Sequence, residues 1–324
     1  MDGAVVDDRE LLRRLAAGGG SGDALARDAG ITRAAVWKRI EGLRAAGARI
    51  EARPGRGYVL DAPLELLDPV RLRAGLSPAA ASGLHALDVA WSLDSTNTEL
   101  LRRPLQAGTE VLLAERQNAG RGRLGRRWVS PLGGQVCMSV RRGFQGGLAR
   151  LGGLSLVAGV AVAEALRACG YPMVGLKWPN DLVAGGLKLA GLLVEGGGEH
   201  GGPVHAVIGI GINVDLGPTD DIDQPWTDLG RLGGGRVPSR NAVAIAVLDA
   251  LLQALELFDR EGLAPFLPRY AALDALAGHP VRVLDSRGDF EGRALGLAPD
   301  GALRVSTGDG ERRVHAGEVS VRRQ

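Results

Sequence analysis

Apolar positions in the first sixty residues recur at helical spacing. In "DRELLRRLAAGG", Leu11, Leu12 and Leu15 share one helical face before glycines stop it. The next run, "SGDALARDAGITRAAVWKRIEGLRAAG", predicts a helix, a tight turn at Gly30 and a second helix. Ser21 or Asp23 can cap the first. Thr32 caps the second, whose buried stripe is Val36, Ile40 and Leu43. Two short helices joined through glycine form the helix-turn-helix pattern. "RIEARPGRGYVL" then has strand-like ends around Pro-Gly and predicts a hairpin or wing.

Prolines at 63, 69 and 78 mark a linker with a short helix. From about residue 79 to 276 strands and helices mix without strict alternation, which predicts an α+β fold with a mixed sheet. Strands are expected at "HALDVAWSLDSTN", "TEVLLAERQ", "GQVCMSVRR", "VGLKWPND", "KLAGLLVEGG" and "HAVIGIGINV". Helices are expected at "TELLRR", "LSLVAGVAVAEALRACG" and "NAVAIAVLDALLQALELFDREG". Cys169, after the second of these helices, reads as a small core residue. The last stretches alternate over short spans broken by Gly, Asp and Pro, the pattern of a small β-barrel.

Composition narrows this picture. A chain of 324 residues favours two or three domains. Formal net charge is only +2, so any nucleic-acid surface must be local. It is local: from Arg27 to Gly57 eight basic residues face three acids. Thr32, Arg33, Ala34, Trp37, Lys38 and Arg39 on the second helix, with Arg53 and Arg56 on the hairpin, suit phosphate contacts and groove entry. A solvated basic face on a small helical domain would read the same way. Cys137 and Cys169 form no CxxC, and His85, His200, His205, His279 and His315 are scattered, so no metal site is expected. The N-terminus has no apolar leader core, and Leu151–Ala163 is too short and broken to span a bilayer, which favours a cytoplasmic protein without membrane contact.

Four stretches could carry chemistry. In "SLDSTNTELL", Thr96 with Glu99 fits a capping box, yet Ser95, Thr96 and Asn97 offer more polar groups than a cap needs. "GRGRLGRR" (120–127) is no P-loop. It reads as a solvated surface loop, or as one disordered when empty that folds over a phosphate-bearing ligand through arginine forks and close glycine backbone. In "LKWPNDLVAGGLKLAGLLVE", Lys177, Asn180 and Asp181 cluster by a proline, and a hairpin through "VAGG" would return Lys188 beside them. "GIGINV" places Gly209 and Gly211 where a ligand could approach backbone, with Asn213 as polar anchor, though a glycine-softened strand would look alike.

With STN, GRGRLGR, KWPND, KLAG, GIGIN, the helix "LELFDREGLAPFLPRY" and the small C-terminal β unit in one chain, the sequence resembles bacterial biotin–protein ligases of the bifunctional kind, which also repress biotin synthesis genes. The resemblance implies a winged helix over 1–62, a linker over 63–78, a class II synthetase-like catalytic domain over 79–276 and an SH3-like barrel over 277–324. It implies biotin and ATP as substrates with Mg²⁺, and a biotinyl-5′-adenylate intermediate. The partners it implies are the biotin carboxyl carrier protein of acetyl-CoA carboxylase, operator DNA, and a second copy of the chain when adenylate is bound. Biotin would meet Ser95, Thr96, Asn97, Gln117, Arg121, Gly122, Arg123, Lys188, Gly191, Gly209 and Gly211. The nucleotide would meet Arg123, Arg126, Trp128, Lys177, Asn180, Asn213 and Trp226, the last packing on adenine. Arg121, Lys177, Lys188 and Asp181 would carry catalysis, Asp181 orienting or deprotonating the acceptor amine. Leu124 stands where the best-known loop pattern has another arginine, a departure that bears on regulation and dimer tuning. A lipoate or octanoate transferase has a similar catalytic fold, against which the GRGRLGR and KWPND pairing argues. A metabolite sensor with a dead site would have lost Lys188 or a loop arginine.

Overall fold

Side-chain oxygens set the first three helices. Asp7, Ser21 and Thr32 each accept a backbone N–H three residues on, opening α1 (Asp8–Ala16), α2 (Gly22–Ala29) and α3 (Arg33–Ala45). Ser21, not Asp23, caps α2, because Asp23 already lies in the first turn. Gly30 ends α2 at φ 65°, a left-handed turn that suits glycine. The wing is the antiparallel hairpin β1 (Ile50–Arg53) and β2 (Gly57–Leu60). In the computed structural model, the described residues are 7–144, 151–198, 204–219, 221–285, 288–316 and 320–323.

Leu11, Leu12, Leu15, Leu25, Val36, Ile40 and Leu43 close the winged-helix core. Leu132 of the central domain is buried in that core too, and Leu64, Leu66 and Trp91 pack against it. The Leu132 N–H donates to Ala46 O at 2.8 Å. Arg49 pairs with Asp215. The winged helix is therefore seated on the central domain.

The linker holds α4 (Pro69–Ala74), and α5 (Pro78–Ala81) starts at its end, each opening with proline after an Asp68 or Ser77 cap. A buried ion pair pins it. Glu115 accepts from Leu67 N and from Arg240, both at 2.6 Å, and Arg240 also donates to Glu65 O and Gln135 O. Two charges so deeply buried persist because their remaining donors and acceptors are satisfied.

The central domain runs β3 (Leu84–Leu93), α6 (Thr96–Arg102), β4 (Thr109–Gln117), β5 (Gln135–Phe144), α7 (Leu154–Ala168), β6 (Val174–Lys177), β7 (Asp181–Ala184), β8 (Leu187–Gly198), β9 (Val204–Asn213), α8 (Leu229–Leu232), α9 (Arg240–Glu261) and α10 (Phe266–Ala271). Its seven strands lie in the order β3-β4-β5-β9-β8-β7-β6, with β3 and β4 parallel and the rest antiparallel. The expected α+β fold with a mixed sheet is what the chain adopts. Alternation along β9 gives the sheet two unlike faces. Ile208, Ile210 and Ile212 enter the main core with α7 and α9. Gly209, Gly211 and Asn213 take the other face, where α6 packs through Leu100 on Leu112 and Val207. Helix α9 is long and apolar enough to cross a bilayer by composition. Val243, Val247, Leu248, Leu251, Leu255 and Phe258 instead bury it in this core.

Cys169 corrects one expectation. It caps the C-terminus of α7 and is exposed, because the helix ends at the surface before the Gly170 turn. His85 and His315 are exposed, His205 and His279 half-buried, and His200 lies outside the described residues. The last unit, β10 (Pro280–Leu284), β11 (Phe290–Leu297), β12 (Leu303–Thr307), β13 (Gly310–Val314) and β14 (Ser320–Arg323), is antiparallel in the order β13-β12-β11-β10-β14. Among the described residues no pairing joins β13 to β14, so a sheet is described and not a closed barrel. Trp178 ties it to the central domain, its Nε1–H donating to Gly301 O at 3.1 Å.

Candidate functional site

The glycine face of the sheet is the floor of a cavity of about 530 Å³. Register brings Gly191 opposite Gly211, and both Leu193 and Ser139 opposite Gly209. The glycines are needed for space. A Cβ at Gly211 would sit 2.5 Å from the Trp128 indole, and one at Gly191 3.0 Å from it. A Cβ at Gly209 would collide with the Asn97 amide. The "softened strand" reading of GIGIN thus gives way to close packing of site side chains on bare backbone.

A bulge aims the lysine. In the β7–β8 pairing, Leu182 faces Ala190 but Val183 faces Lys188, leaving Leu189 extra. That insertion shifts the alternation, so Lys188 shares a face with Gly191. The hairpin expected through "VAGG" does return Lys188 to the KWPND residues. Its Nζ is 2.9 Å from Asp181 Oδ1 and 5.6 Å from the centre of the Trp128 ring. Lys177 lies behind. Burial draws its ammonium below the usual lysine range, with Asp181 opposing that shift. Asn180 donates to Leu192 O at 2.8 Å and accepts from Arg123 at 3.4 Å, joining the KWPND turn to the Gly/Arg loop.

Local backbone contacts fold the Gly/Arg loop back on itself. Arg121 and Arg127 bridge across its base, Gly122 N–H bonds Arg126 O at 2.7 Å, and Arg123–Gly125 make a 3₁₀ turn. Leu124 sits at its exposed tip at φ 57°. Burial lowers the Arg123 pKa; Asp181 opposes the shift. Arg121 donates to Thr98 Oγ1 and Glu195.

At the opposite end α6 presents its first turn. Its cap is Ser95, whose Oγ accepts from Thr98 N, so the capping box expected for Thr96 and Glu99 does not form. Thr96 is thereby freed: its N–H and hydroxyl both meet Gln117 Oε1, and Ser139 Oγ donates to its Oγ1 at 2.6 Å. Asn97 donates to Leu193 O and Glu195.

Ser95, Thr96, Asn97, Gln117, Arg121, Gly122, Arg123, Arg126, Trp128, Lys177, Asn180, Asp181, Lys188, Gly191, Gly209 and Gly211 line this one cavity. Asn213 and Trp226 do not. Asn213 is buried, accepting from Gln135 and donating to Thr227 O, so it fixes the 225–227 segment from behind. Trp226 is stacked beneath the Arg231 guanidinium, 3.8 Å from its ring centre, and Asp223, Gln224 and Pro225 of its loop reach the cavity instead. Sequence reasoning missed Ser139, Gln135, Glu195 and Arg322. The first three alternate with apolar strand residues, a visible signal. Arg322 reaches the wall only because β14 folds back, which no local pattern announces.

Comparison with known proteins now decides the family. Residues 89–213 match the "Biotin/lipoate A/B protein ligase family", 9–59 an "HTH domain" and 277–322 the "Biotin protein ligase C terminal domain". The bifunctional ligase/repressor BirA of Salmonella typhimurium is 38% identical over 93% of this chain and 93% of its own. The chain belongs to the bifunctional biotin ligase/repressor family. A biotin–[acetyl-CoA-carboxylase] ligase of Mycobacterium tuberculosis is 36% identical over 74% of this chain and 90% of its own. The structure of a biotin protein ligase from Aquifex aeolicus in complex with biotin and ATP superposes with a TM-score of 0.65 at 29% identity, over 74% of this chain and all of that one.

In this chain a helix-turn-helix precedes the ligase domain. Thr32, Arg33, Ala34, Trp37, Lys38 and Arg56 are exposed along α3 and the wing, with Trp37 58% accessible. Arg39 is half-buried and pairs with Asp8 of α1 at 2.9 Å. Arg53 is exposed but paired with Glu51 at 2.9 Å.

Proposed function

We propose that the cavity joins biotin to ATP and then to a lysine of a biotin carboxyl carrier protein, in line with the relatives named for biotin ligation to acetyl-CoA carboxylase. The observation that carries this is one cavity with a polar, glycine-cleared floor at one end and Lys177, Lys188, Arg123, Arg126 and Arg322 at the other. The first end suits a neutral ureido ring, the second a polyphosphate. Ser95, Thr96, Asn97, Gln117 and Gly209 hold the ring. Lys188 meets the biotin carboxylate.

A carboxylate oxygen attacks the α-phosphorus of ATP, and the bond to pyrophosphate breaks. Catalysis here is positioning plus charge neutralisation by fixed cations. Mg²⁺ supplies further neutralisation when bound. Asp181 and Asp223 are the carboxylates on the wall, and a hard ion of this kind is held by one or two carboxylates plus phosphate oxygens. The Gly/Arg loop then covers the mixed anhydride and excludes water. The neutral carrier amine attacks the acyl carbon, AMP leaves, and Asp181, adjoining Lys188, accepts the amine proton.

The second activity is repression. α3 and the wing meet an operator, and adenylate-bound chains pair so that two copies span two half-sites. The domain limits follow as 1–62, 63–78, 79–276 and 277–324, in a cytoplasmic protein. Biotin-dependent ATP–pyrophosphate exchange, compared with lipoate, tests the ligase reading.

A further inference from the structure

Glu195 lies on β8, outside the cavity lining, at the far end of the KWPND–KLAG stretch, where the sequence alone gave it no role. It follows Gly191 and Leu193 on the site face of the strand. One oxygen, Oε2, accepts from Asn97 Nδ2 at 2.8 Å. Arg121 Nη2 donates to Oε1 at 3.1 Å and to Oε2 at 3.3 Å, and also to Thr98 Oγ1 at 3.0 Å. Asn97 in turn accepts from Ser139, buried beside Gly209 behind the cavity floor. One carboxylate thus connects the residue under the ring pocket with the first arginine of the Gly/Arg loop.

We propose that Glu195 is a positioning residue that couples occupancy of the ring pocket to closure of the loop, resting on the reading of that pocket as a biotin site. Arg121 already has its charge matched by a carboxylate. Its contacts with Glu195 and Thr98, off the loop, make it a tether for the loop. A ring seated on Asn97 fixes its amide. The fixed amide holds the Glu195 carboxylate toward Arg121, and Arg121 holds the loop. Coupling between two sites is reciprocal, so a tethered loop strengthens ring binding in return.

The test is a double-mutant cycle in the full-length chain: Glu195→Ala, Arg121→Ala and both together. Biotin KM and kcat are read by ATP–pyrophosphate exchange, and trypsin cleavage within 116–127 is followed with and without biotin alone. Wild type is expected to show loop protection by biotin without ATP. Each single variant should lose that protection and raise biotin KM about tenfold, with kcat changed less. The double variant should match the singles, since both break one chain of contacts. Glu195→Gln, which keeps an acceptor for Asn97 but not the charge opposite Arg121, guards against misfolding. It should melt like wild type yet lose loop protection. Additive KM effects, or intact biotin protection in Glu195→Gln, would overturn the coupling. Absence of biotin-dependent exchange in wild type would instead defeat the biotin reading itself, and the coupling with it.

Discussion

Lys188 shows how far a single residue's role could be read in advance. Its return to Asp181 followed from the hairpin, but its orientation depends on the bulge at Leu189, which no spacing rule announces. Lys188→Ala should leave the fold intact, because the side chain stands at the cavity and not in the core. It should slow adenylate formation about 100-fold, the usual consequence of removing one charge-stabilising donor. Pyrophosphate exchange and circular dichroism together check this. Gly209 is legible differently. The strand pattern said only that glycine was present, whereas the Asn97 amide above it says why. Gly209→Ala should displace Asn97 and raise biotin KM about tenfold or more at unchanged expression. An unaltered KM would mean that the ring does not rest there.

Elements were read better than their junctions. The helix-turn-helix, wing and long α9 stand where the sequence pattern put them. The cap of α6 did not, since Ser95 and Thr96 are equally good caps in sequence and only the backbone chooses. At the junction between α10 and β10, Asp274 and Tyr270 sit together in the interior. Tyr270 Oη and Asp274 Oδ2 have no hydrogen-bond partner, and burial raises both pKa values. An acid whose folded pKa lies above its unfolded value gives stability that is complete at low pH and is lost as pH rises through the folded value. Asp274→Asn should therefore raise Tm at neutral pH, with an advantage that shrinks as pH falls toward the carboxylate range. Thermal melts at a series of pH values check the sign. For the Gly/Arg loop, Arg121→Gly should release adenylate early, read as acylated lysines on bystander proteins. Tight retention of the intermediate by this variant would contradict the tether.

At the scale of the molecule, the sequence did not show that the pieces interlock. Leu132, just beyond the Gly/Arg loop, completes the winged-helix core, and Arg49 grips Asp215 two residues past Asn213. Such contacts between distant segments have no periodic signature. Deleting residues 1–62 would strip the cover from Leu132 and Trp91, so point changes on α3 probe repression more cleanly. Arg33→Ala with Lys38→Ala should weaken operator binding and reduce its salt dependence by about one ion per lost phosphate contact, leaving exchange unchanged. Mobility shifts at several salt concentrations read this. Biotin plus ATP should promote both dimerisation in sedimentation and binding to an inverted-repeat operator. Operator affinity independent of ligand would contradict that link. The central claim is the cavity's chemistry, and the purified chain tests it directly. ATP–pyrophosphate exchange should depend on biotin, fail with lipoate, and be followed by transfer of biotin to one lysine of a biotin carboxyl carrier domain. Exchange driven by lipoate, or a folded chain inert toward biotin and ATP, would contradict it.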